Sequence, residues 1–149
     1  MLVREDLFTP TIAPMPAPAK PPWPAPSTLY PAAFGGAVAA AAILVLNGGR
    51  LGIRAGHRLV VVGVAVAALV CRLWLLRSGL GLTGIYSISV AAEGIGVYLV
   101  AAPVHRRAFR SYQLRADAPT ASLVVPGLVA VVSGWLLEAV LAVFVLGSA

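Results

Sequence analysis

Four long apolar runs in a chain of 149 residues limit what this protein can fold into. They cover residues 30–47, 59–76, 82–103 and 122–147, each 18 to 26 residues long. At about 1.5 Å of rise per residue, each helix is long enough for a hydrocarbon core roughly 30 Å thick. The remaining residues contain almost no amphipathic helix that could cover them in water. Composition agrees: 60% of residues are hydrophobic and 11% are charged, whereas soluble domains carry about 25% charged residues. The expected fold is all-α, an integral membrane four-helix bundle occupying residues 30–149.

Residues 1–29 differ in kind. Pro10, Pro14, Pro16, Pro18, Pro21, Pro22, Pro24 and Pro26 crowd into them. Proline removes a backbone donor and locks φ, so neither a helix interior nor a central strand suits this stretch. It reads as an extended, mobile, proline-rich tail. "PAKP" at 18–21 matches a P-x-x-P ligand pattern but is read as linker. "MLVREDLF" lacks the basic and then apolar order of a cleaved signal peptide.

Charge sets the expected orientation. Eleven Lys and Arg face five Asp and Glu. Seven of the eleven fall in two gaps: Arg50, Arg54 and Arg58 after the first run, and Arg106, Arg107, Arg110 and Arg115 after the third. Cytoplasmic loops are enriched in such residues. Loops 48–58 and 105–121 are therefore expected in the cytoplasm and both termini outside. The arginines Arg50, Arg54, Arg58, Arg106, Arg107 and Arg110 are candidate contacts for lipid head groups or an acidic partner. The same pattern speaks against nucleic acid, for which no basic and aromatic module is present.

"RSGLGLTGIY", residues 77–86, holds a G-x-G-x-x-G in Gly79, Gly81 and Gly84. A dinucleotide loop needs a strand before it and an acid about 20 residues on. Here an apolar helix precedes, and "AAPVHR" stands where the acid should be. The glycines read as a turn between the second and third helices. Cys71 reads as a small buried hydrophobe, and His57 and His105 as interfacial side chains. No metal or cofactor site is expected, and no catalytic motif such as G-x-S-x-G or H-E-x-x-H occurs. The chain is expected not to be an enzyme.

Charges inside apolar helices are costly and are the default functional suspects. There are three: Arg72, Glu93 and Glu138. Helical rise places Arg72 and Glu138 at similar depth, about 20 to 24 Å from the cytoplasmic ends of their helices, and Glu93 nearer the midplane. Arg72 and Glu138 are expected to pair, with Glu93 deeper and apart. Small residues four apart (Gly36 and Ala40, Gly63 and Ala67, Ala92 and Gly96, Ala130 and Gly134) are expected to let helices approach closely. Trp23, Trp74, Tyr30 and Tyr112 are placed near the interfaces, and Trp135 inside the packing.

In "YPAAFGGAVAAAAILVLNGGRLG", Phe34, Gly35, Gly36, Asn47, Arg50, Leu51 and Gly52 form an F-x-G-G … N-x-x-R-L-G pattern. It resembles a group of small uncharacterised bacterial four-helix membrane proteins, and the "LFTPTIAP" start is similar to theirs. The resemblance implies the membrane bundle and no activity. Two functions are weighed, the first favoured and the second its alternative. One is a protein of binding or assembly type that docks into a larger membrane complex, its partners the bilayer, another membrane protein or a second copy. The other is a small oligomeric proton-coupled transporter or channel using Glu93.

Overall fold

The computed structural model describes residues 20–78, 83–114 and 118–147. All secondary structure among them is helical. A 3-10 turn, Ala25–Thr28, leads into α1 (Leu29–Arg50), followed by α2 (Ala55–Arg77), α3 (Thr83–Gln113) and α4 (Val124–Gly147). By length and composition alone, all four helices are long and apolar enough to cross a membrane. α3 runs through Pro103 to Gln113 rather than stopping at the proline. Pro103 removes one backbone bond, but His105, Phe109 and Tyr112 beyond it are buried and hold the helix on course.

α1 is the centre of the bundle, and it is not straight. At Gly36 the backbone takes φ 69° and ψ −163°, outside helical space. That region is open to glycine at little cost and to few other residues. Beyond it the chain turns back. Trp23 N–H donates to Asn47 Oδ1 at 2.9 Å, and Asn47 Nδ2 donates to the Trp23 carbonyl at 3.1 Å. In a straight helix Asn47 would stand about 27 Å from Leu29. The six residues from Trp23 to Leu29, partly in a 3-10 turn, span about 15 Å at most. Only a reversal at Gly36 closes that gap. Tyr30 and Ile43 accordingly pack in one cluster with Trp23 and Leu123. α1 is thus a helical hairpin, with arms of residues 29–35 and 37–50.

Both arms end where the basic segments lie. Gly48 packs against Arg58 near the start of α2, and Ala25 packs against Phe109 and Tyr112 near the end of α3. At the opposite end of the bundle, Arg77 NH1 donates to the Val145 carbonyl at 3.4 Å. Lys20 to Thr28 therefore sit at the basic end, not opposite it as expected for the N-terminal tail. This stretch is also docked. The Arg50 guanidinium lies 3.8 Å over the Trp23 ring and donates to the Pro21 carbonyl at 3.0 Å, while Ala121 N–H donates to the Pro22 carbonyl. Trp23 is only 2% exposed, so it is a core residue rather than an interfacial anchor. Residues 1–19 of the expected tail lie outside the described residues.

α2 and α4 flank this centre and each buries a narrow stripe. In α4 the inward positions are Gly127, Val131, Gly134 and Glu138, spaced four, three and four apart as one helical face requires. α2 buries Val61, Ala65 and Arg72. Cys71 is exposed on α2, contrary to the buried position expected, because only that stripe meets the bundle. The small residues divide likewise. Gly134 lies against the Gly35 carbonyl, whereas Gly63 and Gly96 face open space. Gly94, which the four-residue spacing does not single out, makes the closest approach to another helix's backbone, against the Ala32 carbonyl.

Candidate functional site

The tip of the hairpin meets the three charges. Arg72 NH2 stands 2.9 Å from Glu138 Oε2, and Arg72 Nε stands 3.6 Å from Glu93 Oε2. Arg72 and Glu138 are 4% and 3% exposed. The structure brings Arg72 and Glu138 together, and it adds Glu93 to the same cluster instead of leaving it deeper and apart. The reason lies in α3. Because that helix runs on to Gln113, Glu93 falls toward the Arg77 end of the bundle rather than at mid-length. One guanidinium thus serves two carboxyl groups drawn from two further helices.

Gly36 belongs to this site. A Cβ there would come 2.8 Å from Glu138 Oε1 and 3.0 Å from Val90 Cγ1. Glu138 Oε1 is buried and accepts no hydrogen bond from the described residues. It lies beside the start of the 37–50 arm, where the helix dipole is positive and an anion is favoured. The break also frees carbonyls of the first arm, and nearby groups take them up. Trp135 Nε1 donates to the Phe34 carbonyl at 2.7 Å, so a tryptophan expected as packing is instead a hydrogen-bonding clasp, 55% exposed.

Between α1, α3 and α4 a cleft of about 520 Å³ reaches this cluster. Its walls are Ala33, Phe34, Val90, Ala91, Trp135 and Ala139, with Glu138 among them. Phe34 is 64% exposed at the mouth. The site therefore joins an apolar, aromatic-flanked entrance to a buried acidic cluster.

Other residues singled out in the sequence go to different duties. His105 is buried, its Nδ1 3.0 Å from the Ala101 carbonyl and its Nε2 2.9 Å from that of Leu44. It ties α1 to α3 and is not an interfacial side chain. Tyr112 is also buried and donates to the Pro119 carbonyl, while Tyr30 donates to the Leu123 carbonyl. Trp74 lies outward as expected, 64% exposed. Arg106 donates to Tyr98 Oη at 3.3 Å, and Arg110 is exposed. Gly79 and Gly81 of the glycine motif lie outside the described residues. The chain before them is the end of α2, not a strand. Among the described residues no group of three His, Cys, Asp or Glu side chains is placed to hold a metal.

No protein-family model matches this chain, and it matches neither a curated protein nor a solved structure.

Proposed function

We propose that this chain is a small multi-pass membrane protein that acts as a proton-coupled carrier, with Glu93, Glu138 and Arg72 as its coupling group. One observation carries the reading: a helix broken at Gly36 ends on a buried cluster holding one more carboxyl than guanidinium. In a low-dielectric interior such a surplus charge is expensive, so the cluster takes up a proton or a cation to balance it. Broken apolar helices with charged groups at the break are how membrane carriers build a site at depth. The 520 Å³ cleft on Glu138 supplies an entrance.

In this reading α2, α3 and α4 cross the bilayer and α1 is re-entrant. The basic end faces the cytoplasm by the excess of arginine. Lys20 to Thr28 then lie in the cytoplasm with loops 48–58 and 105–121, and the far end of α4 lies outside.

The test is proton flux into liposomes under an imposed potential, read by a trapped pH dye. Wild-type protein is expected to conduct, and Glu93→Gln to lose most of the flux while keeping its abundance and thermal midpoint. Equal flux in both would sink the carrier. The second reading is an assembly protein, favoured by the outward apolar faces of α2 and α4 (Val66, Val70, Val140 and Phe144 are all exposed). On that reading Glu93→Gln lowers the abundance of this chain and its partner together.

A further inference from the structure

Among the described residues, the basic end carries arginines that no carboxylate at that end balances. Arg50, Arg54, Arg58, Arg106, Arg107 and Arg110 gather there, while the only described carboxyl side chains, Glu93 and Glu138, are committed to Arg72. Asp117 lies outside the described residues. The six arginines are not equivalent. Arg50 is held on Trp23 and the Pro21 carbonyl, and Arg106 on Tyr98. Arg54 and Arg107 instead line a cleft of about 430 Å³ between the first turn of α2 and the last turns of α3.

The cleft is amphipathic. Leu51, Ile53, Val104 and Ala108 form its walls, and Arg54, Arg107 and His57 give it a polar side. His57 Nε2 is buried and has no hydrogen-bond partner among the described residues. The first turn of α2 carries no acidic residue and no side-chain cap, so its positive dipole end is uncompensated. Arginine favours phosphate because its planar donor fork matches two phosphate oxygens.

We propose that this cleft is a binding site for a phosphate-bearing membrane lipid, held by Arg54 and Arg107 through its head group and by Val104, Ile53 and Ala108 through the start of its acyl chains. An acidic protein segment would meet the arginines but has no use for the apolar walls. The inference rests on the membrane reading and not on transport, so Glu93→Gln is expected to leave lipid binding unchanged.

The experiment is native mass spectrometry of the full chain in neutral detergent, titrated with phosphatidylglycerol or phosphatidylcholine. A saturable phosphatidylglycerol adduct is expected, with phosphatidylcholine much weaker. Arg54→Ala with Arg107→Ala should weaken it about thirty-fold, from ~1 kcal/mol per basic contact. Arg110→Ala removes the same kind of charge from the same end, off the cleft, and should change binding by less than about three-fold. The double Arg→Lys variant and the thermal midpoint guard against misfolding, since lysines keep the charge and should retain part of the binding. Equal adducts with both lipids, or equal losses in the cleft and Arg110 variants at unchanged midpoint, would overturn the site. Displacement of the lipid by an excess of inorganic phosphate, with phosphate binding alone as tightly, would assign the cleft to a free anion and overturn the lipid. Retention of an acidic protein in place of lipid from native membranes would do so too.

Discussion

At Gly36 the backbone sits at φ 69°, with Glu138 Oε1 and Val90 filling the space where a Cβ would go. Gly36→Ala therefore meets two penalties, a strained backbone and a collision with a buried carboxylate. A left-handed non-glycine residue alone costs about 1–3 kcal/mol. The expected outcome is a fall in thermal midpoint in detergent, together with loss of proton flux. Gly96→Ala, where a Cβ meets nothing, should be silent in the same assays. Arg72 is the other sensitive residue. Arg72→Met leaves two carboxyls buried without their shared cation, and breaking a buried pair costs about 3–5 kcal/mol. It should reduce folded yield more than Glu93→Gln does; equal yields would remove the cluster from the stability of the bundle. A charge swap of Arg72 and Glu138 should recover only part of the loss, because it sets an arginine beside the positive end of the 37–50 arm.

The element that defines this molecule is the α1 hairpin, and Asn47 is its latch. Its side chain donates to and accepts from the Trp23 backbone in a buried setting. Asn47→Ala strands a buried N–H and a buried carbonyl, at about 1–3 kcal/mol for each unsatisfied group. Protection of the Trp23 and Asn47 region in hydrogen exchange should fall while that of α4 holds. The hairpin also has a topological consequence. In a Cys71→Ser background, Lys20→Cys and Arg110→Cys should react with an impermeant maleimide from one side of the membrane and Ser78→Cys from the other. Labelling of positions 20 and 78 from the same side would rule out the re-entrant arrangement.

For the whole molecule, two sites sit at opposite ends of one bundle: the acidic cluster toward the Arg77 end and the lipid cleft at the basic end. α1 touches both, since its tip rests on Glu138 and its last turn leads through Leu51 into the cleft. If the hairpin moves during transport, occupancy of the cleft by an anionic lipid should alter flux. Flux in phosphatidylglycerol liposomes should exceed that in phosphatidylcholine. The double cleft variant Arg54→Ala with Arg107→Ala should lose that difference.

Much of this was legible in the residues alone. Run length and hydropathy are local quantities, and they determined that there would be four apolar helices and roughly where each would lie. The high cost of burying charge singles out Arg72, Glu93 and Glu138 within apolar runs from the residues alone. What only the tertiary structure decided is how those helices close on one another. Gly36 stands in an alanine-rich apolar run that reads as one span. At its φ of 69° the space a Cβ would need is taken by Val90 and Glu138, more than fifty and a hundred residues away. The docking of Trp23 on Asn47 and Arg50 follows from the same reversal, as does the division of the basic end into committed arginines and the pair facing the cleft. A helix is written in neighbouring residues, whereas a reversal inside one depends on partners that the chain brings together only when it folds.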